Sequence, residues 1–129
     1  MIAKKNLQQD LFVEFLSKIL ENQNQNIWIA LEGSVCVGLI EGEIRPTLTH
    51  CANVGVIHQL YVHREYRERG IATALMIHLS AQFKKANCVQ MTAFSTRVNV
   101  KSQEFLEHRG FTRTSHGFTK VLIEKVERD

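Results

Sequence analysis

Long apolar runs are missing from this 129-residue chain. No stretch approaches the roughly 20 consecutive apolar residues of a membrane span. The apolar residues near the N-terminus are periodic and broken by charge, so no secretory leader is expected either. Cysteine is scarce: Cys36, Cys51 and Cys88 are an odd number at no useful spacing, which argues against a disulfide framework and for a reducing cytoplasm. Cys36 lies in an apolar, strand-like run and is expected to be a small core residue. Six histidines are present, but no C-x-x-C or H-x-x-x-H spacing occurs, so no metal site is expected. Charge is nearly balanced, with a net +3. The one basic cluster, Arg64, Arg67 and Arg69, is diluted by Glu65 and Glu68, which does not suit nucleic acid. G-x-S-x-G, G-x-x-x-x-G-K-S/T and G-x-G-x-x-G are all absent, and no repeat or internal linker interrupts the chain. What is present is 44% apolar content, enough for one domain over residues 1–129 and too little chain for two.

Hydrophobic periodicity divides that domain. Leu7, Leu11, Phe15 and Ile19, widened by Phe12, Leu16 and Leu20, predict a helix capped by Asn6 with Gln9 in capping-box position and ending near Glu21. A polar loop, Asn22 to Asn26, precedes a strand at Ile27–Leu31, a hairpin turn at Glu32-Gly33-Ser34 and a returning strand from Val35 to Ile44, ended by Arg45-Pro46. A loop through His50-Cys51 leads to a strand at Val54–Val62. A helix follows Gly70 and runs to about Lys85, with Ile71, Leu75, Leu79 and Phe83 on one side. Val89–Phe94 reads as a strand. A helix from Asn99 or Ser102 ends at Arg109-Gly110 with the glycine as its cap. Phe111–Thr114 and Phe118–Ile123 read as a closing pair of strands. The order is that of a single-domain mixed α/β fold.

The passage from Leu60 to Leu75 carries the chemistry. A strand, a charged turn and a helix opened by Gly70, Ala72 and Ala74 leave several backbone N–H groups without intrahelical partners, at the positive end of the helix dipole. Arg67 and Arg69 can add charge-assisted bonds to phosphate oxygens. The physical reading is a cradle for a diphosphate.

Arg67-Glu68-Arg69-Gly70-Ile71-Ala72 also resembles the (Gln/Arg)-x-x-Gly-x-(Gly/Ala) loop of the GCN5-related N-acetyltransferase (GNAT) family. The resemblance covers roughly residues 7 to 125 and implies an acyl-CoA N-acyltransferase fold built on a central mixed sheet, its usual N-terminal strand and helix missing. It implies acetyl-CoA as cosubstrate, with Arg67, Glu68, Arg69, Gly70, Ile71, Ala72 and Thr73 around the pyrophosphate and main-chain groups of Leu60, Tyr61 and Val62 along the pantetheine arm. Asn99-Val100-Lys101-Ser102 and Phe105 to Phe111 resemble the family's later motif, placing Asn99, Ser102 and Phe105 near the coenzyme. Asn99 also reads simply as a helix cap, and both roles can hold together. The tyrosine that protonates the departing thiolate in many members is replaced by Leu106.

An amine must be neutral to attack, and His58 is the candidate base. The two-residue period of its strand puts it on the face of Leu60 and Val62, and an unperturbed imidazole titrates at about 6.5. Segments such as Gly55 to Val62, Gly70 to Thr73 and Asn99…Ser102-Gln103 are similar to aminoglycoside 6′-N-acetyltransferases, which carry glutamate at the His58 position and an aspartate at that of Phe94. Losing both removes acidity from the acceptor side, although Glu41 and Glu43 partly compensate. The expected function is transfer of acetyl to a primary amine of a small molecule or peptide, without nucleic acid or membrane as partner. A catalytically idle acetyl-CoA-binding or partner-binding module and an aminoglycoside 6′-N-acetyltransferase are the alternatives. With no preceding strand, the edge at Ile27–Leu31 needs cover, and a homodimer is the expected means.

Overall fold

The computed structural model describes residues 2–95 and 98–124, with helix α1 described by its backbone alone up to residue 9. α1 (Ile2–Glu21) is followed by three strands, β1 (Gln25–Glu32), β2 (Val35–Thr47) and β3 (Ala52–Val62), and a single 3-10 turn at Arg64–Tyr66. Then come α2 (Ile71–Lys85), the short β4 (Met91–Ala93) and α3 (Val100–His108). The sheet runs β1-β2-β3-β4. β1, β2 and β3 are antiparallel, and β4 pairs parallel to β3. This is the mixed α/β architecture expected from the sequence.

α2 packs on one face of this sheet. Leu75, Met76, Leu79 and Phe83 lock with Ile40 of β2 and Ile57 of β3 into the core. The strands receive the helix through glycine: a Cβ at Gly42 would stand 2.7 Å from Leu79 Cδ2, and one at Gly55 would overlap the Phe83 ring. Trp28 of β1 fastens the other side of α2. Its ring stacks on His78 at 4.7 Å, and its Nε1–H donates to Gln82 Oε1 at 2.6 Å. α3 closes with Gly110 at φ +90°, where Gly110 N–H donates to the Glu107 carbonyl and Phe111 N–H to that of Leu106. That six-to-one bond brings Phe111 and Leu106 together against the core, the arrangement that makes glycine the natural stop.

Several expectations are corrected. α1 begins at Ile2, so Asn6 stands inside the helix rather than at its cap; the side chains of Asn6, Leu7 and Gln9 lie outside those described. Among the described side chains of the stripe, Phe12, Phe15 and Leu20 are exposed, and Leu11, Leu16 and Ile19 turn partly inward. β2 does not end at Arg45-Pro46 but continues to Thr47. Ile44 N–H donates toward the β1 side, to the Asn24 carbonyl. By alternation Pro46 turns its nitrogen the same way, beyond the end of β1, where no ladder bond is required. Cys36 is exposed rather than buried. Phe111 to Glu124 contains no strand. Phe118, Val121, Leu122 and Ile123 are all exposed, because β-prone residues make a strand only where an edge lies alongside to pair with.

Candidate functional site

The turn between β3 and α2 supplies an anion-seeking helix end. Glu68 (φ +63°) and Gly70 (φ +80°) are both left-handed, which reverses the chain twice within three residues and starts α2 abruptly at Ile71. No side chain caps α2, and its first intrahelical bond runs from Ala74 N–H to the Gly70 carbonyl at 3.0 Å. The amides of Gly70, Ile71, Ala72 and Thr73 therefore precede the helical ladder, at an end carrying about half a positive charge. Space is open at Gly70: nothing lies within 4 Å of where a Cβ would stand, so a ligand can reach the main chain. Arg67 Nε–H donates to the Val62 carbonyl at 2.9 Å, tying the turn to the end of β3. Arg69 lies over the Tyr66 ring, 5.0 Å from its centroid, with its charge exposed to solvent.

The strand leading into this turn opens along one edge. Among the described residues β4 pairs with β3 only at Gly55, Val56 and Ile57, and from there to Val62 β3 is paired on its β2 side alone. His63 N–H donates to the Val37 carbonyl on β2. Alternation then turns Tyr61 toward β2 as well, while the main-chain groups of Leu60 and Val62 face the gap left by β4. Of the three residues expected to offer main-chain bonds there, Tyr61 spends its own inside the sheet. Val62 already accepts Arg67 at its carbonyl, so Leu60 is the freest.

The gap begins at a β-bulge. Glu41 is opposite Gln59, but Gly42 is opposite Ile57, so His58 is the extra residue. Without the bulge His58 would face Gly42 on the α2 side, against Leu79 and Phe83. With it, His58 and Gln59 turn to the other face together, and the expected shared face with Leu60 and Val62 is not found. There His58 Nε2 lies 2.7 Å from Glu43 Oε1, and Arg45 Nη2 donates to the same oxygen at 2.9 Å. The bond from His58 holds the Glu43 carboxyl below its ordinary range. Partial burial opposes the shift, and Arg45 adds to it through a hydrogen bond and its charge. An imidazole, a carboxylate and a guanidinium thus stand together on the face of the sheet opposite α2. They lie roughly 13 Å along β3 from Val62, taking about 3.3 Å per residue.

Comparison with known proteins places this geometry. The model of the acetyltransferase (GNAT) family matches residues 3–111. The chain belongs to that family. Comparison with curated proteins finds no match, whereas solved structures of the GNAT fold resemble the chain closely in shape. A transcriptional regulator from Bacillus halodurans C-125 superposes with a TM-score of 0.82 at 20% identity, over 86% of this chain and 75% of that one. AAC(6')-Iy in complex with a bisubstrate analogue, CoA-S-monomethyl-acetylneamine, gives 0.78 at 21%, covering 88% and 80%. The aminoglycoside 6'-N-acetyltransferase AAC(6')-IG from Acinetobacter haemolyticus gives 0.75 at 20%, covering 92% and 82%. At such identities the likeness shows the fold. Family membership makes acetyl transfer the general chemistry, since GNAT acetyltransferases are acyl-CoA-dependent N-acetyltransferases.

Against this GNAT frame, the later motif is occupied by structural work. Asn99 caps α3 and accepts from Ser102 N–H at 3.0 Å, so the simple capping role is the one observed. Phe105 and Leu106 pack against the core, with Arg109 5.9 Å from the Phe105 ring centroid. Phe94, just past β4, is exposed. The residue that sequence reasoning undervalued is Glu43, counted only as compensating charge. Its place across from His58 follows from the bulge, which no spacing in the sequence announces. A surface depression lined by Pro46, Leu48, Cys51 and Asn53 sits at the opposite end of β3 from the α2 turn.

Proposed function

We propose that this chain transfers acetyl from acetyl-CoA to a primary amine of a small molecule or peptide, by direct attack in a ternary complex. The observation that carries the reading is the junction of two open features: the uncapped α2 N-terminus at Gly70 and the gap beside Leu60 and Val62. Arg67, Glu68, Arg69, Gly70, Ile71, Ala72 and Thr73 surround the pyrophosphate, their amides and the two guanidinium groups supplying donors. Leu60 and Val62 hold the pantetheine arm, and α3 with Asn99, Ser102 and Phe105 borders it. Acetyl-CoA supplies an acetyl group activated as a thioester.

His58 is the base. As the acceptor nitrogen forms its bond to the acetyl carbon, His58 takes the proton that nitrogen loses, directly or through one water. The sulfur leaves with the electron pair of the broken C–S bond. Leu106, turned into the core, offers no acid, and a thiolate leaves acceptably without one, given a free-thiol pKa of about 8.5.

The acceptor is weakly cationic. Glu43 is already shared by His58 and Arg45, which leaves Glu41 as the unshared carboxylate of that strand face. An aminoglycoside, with several ammonium groups, finds little to meet it. A second copy of the chain pairs along β1, the sheet edge, where Ile29 and Leu31 are exposed; a strictly monomeric species in light scattering would remove that part. The cytoplasm is the compartment that suits three free thiols.

A thermal-shift screen with acetyl-CoA, free CoA, tyramine, glycinamide, a lysine tripeptide and neamine tests the reading. The coenzyme should stabilise the protein, and a monoamine should add to that and release CoA. Stabilisation by coenzyme with no turnover of any amine would favour an idle binding module instead.

A further inference from the structure

We infer that Glu43 is a positioning residue for His58, fixing the imidazole so that Nδ1, and not Nε2, is the nitrogen that takes the amine proton. This rests on the reading of His58 as base.

The geometry decides the tautomer. Glu43 Oε1 and His58 Nε2 are 2.7 Å apart, a short contact that needs a proton between them. An ionised carboxylate only accepts. Glu43 keeps its charge to lower pH than an ordinary carboxyl because His58 and Arg45 both donate to it. The proton therefore belongs to Nε2, and the neutral ring presents its lone pair at Nδ1. No described residue bonds Nδ1, and His58 is exposed, so that lone pair is open to a substrate or a water.

The bulge makes the arrangement specific. It carries His58 out of register onto Glu43's face, while Glu43 remains anchored in the middle of β2 with Arg45 on the same oxygen. A ring held by one carboxylate from a strand, with its other nitrogen free, has the logic of a base oriented by a third group. On that face β2 contributes Glu41, Glu43 and Arg45, and β3 contributes Tyr61. β4 (Met91–Ala93) bears no titratable side chain. α2, with His78, Lys84 and Lys85, packs on the opposite side of the sheet.

Histidine-selective ¹⁵N NMR of the ligand-free protein, recorded where His58 is neutral, reads the tautomer without any acceptor. Wild type should show Nε2–H. Glu43→Gln, whose amide both donates and accepts, should show a mixture of the two tautomers. In CoA-release assays with tyramine, Glu43→Gln should lower kcat about tenfold, part of the usual 10²–10⁴ of a general base. KM for acetyl-CoA should not move, and Glu43→Asp should recover part of the loss. Nδ1–H in wild type, with His58→Ala inactive, would overturn the positioning role alone. Full turnover in His58→Ala with the Nε2–H tautomer intact would overturn the base reading, and this proposal with it.

Discussion

Two stretches of β3, its α2 end and the bulge within it, work by different means. At the α2 end the site is made of main chain: an uncapped helix start, a left-handed glycine and open space beside it. At the bulge it is made of side chains, with His58, Glu43 and Arg45 brought together by one extra residue in the ladder. A main-chain cradle depends on few identities, chiefly Gly70, and tolerates drift elsewhere. The bulge cluster depends on which residues occupy three particular positions. A main-chain cradle can therefore be kept while the side-chain cluster changes around it.

If that division is right, variants at the two stretches should fail differently. His58→Ala should show the largest effect, with kcat down about 100-fold, the lower end of general-base contributions. Its KM for acetyl-CoA should stay near wild type in steady-state assays. Arg67→Ala and Arg69→Ala should each weaken acetyl-CoA about three- to tenfold by titration calorimetry, with kcat nearly unchanged. Exposed charge-assisted bonds lie at the low end of their range, and 1.4 kcal/mol is a factor of ten. A drop in kcat without a change in affinity would merge the two stretches and break the comparison.

The smallest effect concerns stability. Folding lowers the pKa of Glu43. Its contribution is therefore present above the unfolded-state value, near the ordinary 4.5, and is lost as pH falls through the lower folded-state value. Glu43→Gln should melt about 2 °C below wild type at pH 7, as suits a partly exposed ion pair, and the gap should close on acidification below pH 4.5. A gap that widens toward acid would contradict the assigned direction.

What the sequence disclosed follows the same division. α2 was legible to the residue, because Gly70 and the spacing Ile71, Leu75, Leu79, Phe83 are local signals. So were the Gly33-Ser34 turn and the Gly110 stop. The bulge was not. Alternation is read by counting in twos, and an inserted residue is invisible to the count, so the sequence alone puts His58 on the face of Leu60 and Val62 and does not pair it with Glu43. Pro46 reads as a strand end because propensity does not say which side of a strand lacks a neighbour. Phe118–Ile123 has strand composition without a partner strand, a tertiary condition that composition cannot express.

The central claim is that this chain holds its coenzyme by backbone at Gly70 and does its chemistry elsewhere. Titration of acetyl-CoA into wild type, Gly70→Val and His58→Ala tests it most directly. Gly70→Val forces a β-branched residue to φ +80°, at roughly 1–3 kcal/mol of strain, and fills the open space above the helix end. Affinity should fall at least about tenfold in Gly70→Val and remain at the wild-type value in His58→Ala. Equal binding by wild type and Gly70→Val, or a loss confined to His58→Ala, would contradict the account.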